Sequence, residues 1–204
     1  MSPAKPSIDK REIIFSATIK LLAKYGFHGF SIKQLAEEAG VAAGTIYLYF
    51  KDRDELIREL NTQIIDDFIK ATLDGHDPEQ SIKHQYRRMC CNLWHFCIEN
   101  PCITHSKAQF DHLPPDILRS QRSHAWVGLQ PVKNLFEQGR NTKQIKNLSD
   151  DILISLSFEP YLFLSRQHLL GLIQVNDETL THIIDASWDA IACSTATHGK
   201  HNQE

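Results

Sequence analysis

From Ser31 to Phe50 the chain reads SIKQLAEEAGVAAGTIYLYF, followed by Lys51 and Arg53. Ser31, Thr45, Tyr47 and Tyr49 carry hydroxyls, and Lys33, Lys51 and Arg53 carry positive charge. Groups of this kind donate hydrogen bonds to phosphate oxygens and neutralise a polyanion. Thr45 can hydrogen-bond a phosphate or a base edge, and its methyl suits the methyl of thymine. Gly44 lets a backbone come close to a neighbouring molecule. Tyr47 and Tyr49 are two residues apart, about 200° of rotation on a helix, so their hydroxyls point to opposite sides. They suit two phosphate chains flanking one groove.

Such side chains act only if short helices hold them out. Ser31 with Gln34 three residues later is a capping-box pattern, which opens a helix carrying Ile32, Leu35, Ala36 and Ala39. Ala36 is small where two helices cross, Gly40 takes the turn, and Val41 and Ile46 bury the inner face of the next helix, which runs to Phe50. This is the spacing of a helix-turn-helix. Phe50 is expected to be buried. Upstream, Ser7 or Asp9 caps a helix with Ile14, Ala17, Thr18, Leu21, Leu22 and Tyr25 on one stripe, ended by Gly26 and Gly29. Asp52 or Asp54 caps a fourth helix through Leu56, Leu60, Ile64 and Phe68.

Over about residues 9 to 57 the chain resembles the TetR family of bacterial one-component regulators. The resemblance lies in Tyr25-Gly26-Phe27, Ile32, Leu35-Ala36, Ala39-Gly40-Val41, Gly44-Thr45-Ile46-Tyr47, Tyr49-Phe50-Lys51 and Leu56. It implies an all-α fold of about nine helices. Residues 1–53 would be the helix-turn-helix DNA-binding domain, and residues 54–204 the helical ligand-binding and dimerisation domain. It also implies a homodimer on a pseudo-palindromic operator of double-stranded DNA, released when a small-molecule effector enters the C-terminal core. The recognition helices would then stand about 34–36 Å apart, or wider on a longer site. In the family the position of Tyr47 contacts phosphate, and that of Tyr49 often does. Ser31, Lys33, Ala42, Ala43, Gly44, Thr45, Lys51 and Arg53 complete the candidate DNA-binding set, with Ser31, Lys33, Lys51 and Arg53 as phosphate candidates by their own chemistry. Ala42 and Ala43 depart from the family, which commonly has a serine and a polar or basic residue there. Fewer polar base contacts shift the reading toward apolar contact and DNA shape.

The 204 residues carry a formal net charge of −3, which by itself argues against a polyanion partner. The average hides an asymmetry. Up to Lys51 the basic residues Lys5, Lys10, Arg11, Lys20, Lys24, Lys33 and Lys51 face only Asp9, Glu12, Glu37 and Glu38. The acidic excess is downstream. No apolar run approaches the roughly 20 residues of a membrane span. Met1 to Ser7 has no signal-peptide core, so a cytoplasmic location is expected.

Beyond the break at Asp74-Gly75-His76-Asp77-Pro78, helical periodicity predicts helices at 79–99, 102–110, 115–139, 150–170 and from 177. Pro131 and Pro160 should kink or split two of them, and a polar tail begins at His198. Candidate pocket side chains are Tyr86, Cys90, Leu93, Trp94 and Cys97, then Phe110, His124 and Trp126, and then Phe158, Tyr161, Leu162, Phe163 and Arg166. Trp94, Phe110, His124 and Trp126 are singled out as ligand-binding, although each also fits an ordinary core. Ile152, Leu153, Leu156, Phe163 and Leu164, with Ile184, Trp188 and Ile191, are apolar over more than one face and predict a dimer interface.

Four of the five cysteines fall between 90 and 102. Cys97, Cys102 and His105 have loose ligand-like spacing, but Pro101 intervenes and no fourth ligand follows, so no metal or other cofactor is expected. Cys90-Cys91 would sense oxidants only if one thiol were exposed and acidic. The sequence contains no Ser/His/Asp order, Gly-rich phosphate loop or HExxH motif, so no enzyme is expected. The alternative to a ligand-released repressor is the same DNA-binding fold acting as an activator or a protein-regulated factor.

Overall fold

Helix α1 (Lys10–Tyr25) begins where Asp9 accepts a hydrogen bond from the Arg11 amide at 2.9 Å, and ends at Gly26, with φ 69°. This computed structural model describes residues 9–194. Ser7, the other candidate cap, and the tail from His198 lie outside them. Helix α2 (Ile32–Ala39) opens on the complete capping box: Ser31 Oγ accepts from the Gln34 amide at 3.2 Å, while Gln34 Oε1 accepts from the Ser31 amide at 2.8 Å. Gly40 closes it in the left-handed region, φ 63° and ψ 33°. A Cβ at Gly40 would meet nothing within 4 Å, so backbone conformation rather than space demands glycine there.

Helix α3 (Ala43–Tyr49) and α4 (Arg53–Thr72) follow, with Asp52 accepting from the Glu55 amide at 2.8 Å. Ile14, Leu22, Leu35, Ile46, Phe50, Leu56 and Leu60 bury together as one cluster, in which the Phe15 and Phe50 rings lie 5.4 Å apart. α6 (Pro101–Phe110) starts with proline in its first turn, and it packs against α1.

The predicted nine helices resolve into eleven among the described residues. Pro131 and Pro160 account for the difference. Each lacks an N–H and its ring collides with the carbonyl one turn back, so each sits in the first turn of a new helix. The chain thus divides into α7 (Pro115–Gly128) and α8 (Gln130–Asn141), and into α9 (Asp150–Ser157) and α10 (Glu159–Leu169). α5 (Ile82–Glu99) starts three residues later than periodicity predicted, where Ser81 Oγ accepts from the His84 amide at 3.3 Å. Asn176 caps α11 (Asp177–Ile191) by accepting from the Thr179 amide at 2.8 Å. No strand forms among the described residues. Ile145 and Ala192 make one isolated bridge.

Packing divides the chain into two units. One comprises the described residues up to Ala71 with His95–Gly128, and the other Thr72–Trp94 with the described residues from Leu129 onward. The second unit is held by a buried polar knot. Tyr86 donates to Ser187 Oγ at 2.7 Å, and the Tyr161 hydroxyl lies 2.8 Å from the same oxygen. Ser187 in turn donates to the Ile184 carbonyl at 3.0 Å, so both tyrosines must donate and the serine is saturated. The Tyr86 ring is tilted against Trp188 and edge-on to Phe158. Burial pushes both phenols well above the ordinary tyrosine value, and raises the neighbouring Cys90 thiol to about 12.

Two outcomes follow from this interior. Ser187→Ala removes the acceptor shared by two buried hydroxyls, leaving Tyr86 only the Ser157 carbonyl at 3.4 Å, and should lower unfolding stability by about 1–3 kcal/mol in urea titrations. Because the Cys90 thiol stays protonated far above neutrality, iodoacetamide at pH 8 should label exposed Cys102 in the folded protein. Cys90 and Cys97, both buried, should react only after unfolding, as read by mass spectrometry of the peptides.

Candidate nucleic-acid interface

Ile46 orients α3. It is fully enclosed between α3 and the rest of the N-terminal cluster, and Phe50, at the C-terminal cap of the helix, is buried beside it. With the inner side fixed, the others follow from rotation of about 100° per residue. Gly44 and Leu48 lie some 200° from Ile46 and mark the outward midline. Tyr47 flanks it on one side, and Thr45 and Tyr49 on the other. Exposure agrees: Leu48 is 83% exposed, Tyr47 56% and Tyr49 41%, while Thr45 is half-buried. Ala42 and Ala43 are exposed at the start of the helix. Ala42 occupies the N-cap with no side-chain hydrogen bond, so the helix lacks the capping contact that a serine there would give.

A Cβ on Gly44 would meet nothing within 4 Å, and its φ is not positive. Neither backbone strain nor packing within the protein requires glycine at this point. The open space faces outward.

Lys33 and Lys51 are exposed, and the Lys51 amide donates to the Glu55 carboxylate at the start of α4. Ser31 is exposed but engaged, its hydroxyl 3.1 Å from Gln34 Oε1 as part of the cap. Arg53 behaves differently from a free surface cation. Its guanidinium lies 4.4 Å from the Phe30 ring centroid, and its Nη2 is buried without a hydrogen-bond partner. Burial lowers its pKa from the ordinary value. The sequence reading missed Leu48, whose exposure is the largest recorded for any bulky apolar side chain among the described residues. The signal was available: Leu48 stands two positions from buried Ile46, on the opposite side of the helix.

The four candidate ligand residues do not share one environment. Trp94 is buried in the second unit, 5.8 Å from the His168 ring. Phe110 belongs to the N-terminal core cluster, edge-on to Phe27 at 5.6 Å, and this packing accounts for its burial. His124 Nε2 lies 2.6 Å from the Asp66 carboxylate in a largely exposed pair. Trp126 is half-buried on the same helix as His124. An open groove of about 580 Å³ between α1, α4 and the start of α6 is lined by Arg11, Phe15, Ile64 and Pro101 among others, and by none of these four.

The oxidant-sensing condition is not met at Cys90-Cys91. Cys90 is buried, and burial raises both thiols rather than making either acidic. Cys97 is buried and Cys102 is exposed. In the dimer reading, Ile184, Trp188 and Ile191 prove to be buried within the protomer, whereas Ile152, Leu156 and Phe163 of α9 and α10 are exposed.

No described helix is long and apolar enough to cross a membrane. Known proteins share this arrangement. The profile of bacterial regulatory proteins of the tetR family matches residues 14–60, and that of the tetracyclin repressor-like C-terminal domain matches residues 81–192. An uncharacterized HTH-type transcriptional regulator of Haemophilus influenzae is 36% identical over 186 residues, spanning 90% of this chain and 96% of that protein. The solved structure of a TetR family protein of Vibrio parahaemolyticus superposes with a TM-score of 0.81 at 35% identity, over 91% of this chain and all of the other. The regulator FadR of Bacillus subtilis, solved in complex with stearoyl-CoA, shares the fold at 17% identity and a TM-score of 0.70, over 87% of this chain and 95% of that one. With both halves matched in order and a relative aligned along nearly its whole length, this chain belongs to the TetR family of transcriptional regulators.

Proposed function

We propose that the protein is a ligand-responsive repressor in the cytoplasm that binds a pseudo-palindromic DNA operator as a homodimer and is released by a small molecule. The observation that carries the DNA-binding part is the outward face of α3, held out by buried Ile46 and bordered by exposed hydroxyls and lysines. Residues 1–53 form the DNA-binding domain in this reading, and residues 54–204 serve effector binding and dimerisation. Tyr47 and Tyr49 donate to phosphates on opposite strands, and Lys33 and Lys51 supply charge. Ser31 accompanies them without leaving its cap. Arg53 joins only by leaving the Phe30 ring. Ala42, Ala43, Gly44 and Thr45 approach the bases with little hydrogen-bonding capacity.

For the dimer, exposed Phe163, Ile152 and Leu156 form the apolar surface that a second copy would cover. The effector reading draws on FadR of Bacillus subtilis, whose fold holds stearoyl-CoA. The alternative of an activator or protein-regulated factor has one observation in its favour. Tyr86, Tyr161, Phe110 and His124 are already committed to internal contacts, which leaves fewer groups for a ligand. An effector that lowers operator affinity decides for the repressor.

Selection of random duplexes by the full-length chain should enrich an inverted repeat. Failure to enrich any sequence would refute the operator reading. On the enriched duplex, Tyr47→Phe should weaken binding at least tenfold, since a hydrogen bond to a charged acceptor contributes about 1.5–3 kcal/mol, with unfolding stability unchanged. Phe163→Asp should convert dimer to monomer in sedimentation experiments and reduce operator affinity at least a hundredfold, because each half-site then binds alone.

A further inference from the structure

The outward midline of α3 carries no polar side chain. Gly44 and Leu48 are one turn apart, both about 200° from Ile46. Leu48 projects from this line with 83% of its surface exposed, and the space over Gly44 is empty to 4 Å of an added Cβ. An isobutyl group in that position gains nothing from the protein's own core, and its apolar area is free to be buried against a surface outside the chain. Its surroundings define that surface. Tyr47 and Tyr49 hydroxyls flank the helix, and exposed Lys33 and Lys51 lie on the neighbouring segments. This border suits two phosphate chains with a groove between them, not the apolar face of another protein.

In the major groove the exposed apolar group that distinguishes one base from another is the C5 methyl of thymine. We infer that Leu48 is a specificity-determining residue that packs against a thymine methyl in each half-site, with Gly44 leaving room for the base edge. The inference rests on the DNA-binding reading above and adds to it a base identity and the atom that is read. Thr45, half-buried at the side of the helix, has a methyl of its own but does not stand on the midline.

The test uses the full-length chain and the duplex it enriches. Each thymine is replaced singly by deoxyuridine, which removes the methyl and leaves every hydrogen-bonding edge unchanged. One symmetry-related thymine should weaken wild-type binding about fourfold per half-site, and about fifteenfold when both copies are replaced, the scale of one buried methyl group. Leu48→Ala should lose about the same affinity and become insensitive to that replacement, with unchanged unfolding stability because the side chain is exposed. The inference is overturned if no deoxyuridine affects the wild type, if Leu48→Ala keeps full sensitivity, or if the enriched half-site has no thymine. Failure to enrich any duplex removes the DNA-binding reading itself. Tight binding to the enriched duplex with no effect of deoxyuridine removes only the role of Leu48.

Discussion

The burial of Ile46 is the contact on which the outward face of α3 depends. A seven-residue helix has too few hydrogen bonds to persist alone, so α3 exists because its inner side is anchored. Ile46 and Phe50 provide that anchor, fixing both the roll of the helix and the exit of the chain toward α4. The direction of every other α3 side chain is then decided by rotation alone. No separate interaction is needed to aim Tyr47, Leu48 or Tyr49.

The anchor also explains why the segment tolerates an unusual composition. Ala42 gives α3 no side-chain cap, a deficit of about 1 kcal/mol relative to serine. The capping box of α2, the left-handed Gly40 and the Asp52 contact at the start of α4 frame the helix on both sides. Stability lost at the α3 terminus is offset in its neighbours, and the exposed surface is free to be small and apolar. In the proposed reading polar base contacts are few there, while the donors for phosphate lie at the edges. A reader built in this way is positioned by charge and hydroxyls and discriminates by shape and methyl groups.

Local rules reached much of this from the sequence. The capping box, Gly40, Asp9 and Asp52 are signals of two or three residues, and they act within one turn of chain. Pro131 and Pro160 marked where helices divide, because a ring without an N–H acts on its own helix whatever surrounds it. Contacts between distant segments were harder to read. The Tyr86–Ser187–Tyr161 knot joins α5, α10 and α11, and nothing in the spacing of those residues announces a shared hydroxyl. The same holds for Arg53 over Phe30 and for Phe110 against Phe27, where a candidate functional side chain proves to pack on a ring. Amphipathicity placed Ile184, Trp188 and Ile191 on an apolar face without saying that their own protomer would cover it. Leu48 was legible in principle, but an exposed aliphatic residue between two tyrosines reads as ordinary until the helix is rolled about Ile46.

The most direct test is the crystal structure of the full-length chain bound to its enriched duplex. The account predicts that α3 of each protomer lies in a major groove with Ile46 still buried in the protein, Gly44 and Leu48 over base edges, and the Tyr47 and Tyr49 hydroxyls at phosphates on opposite strands. A complex in which α3 faces away from the duplex, or in which Ile46 leaves the core to meet it, would contradict the account.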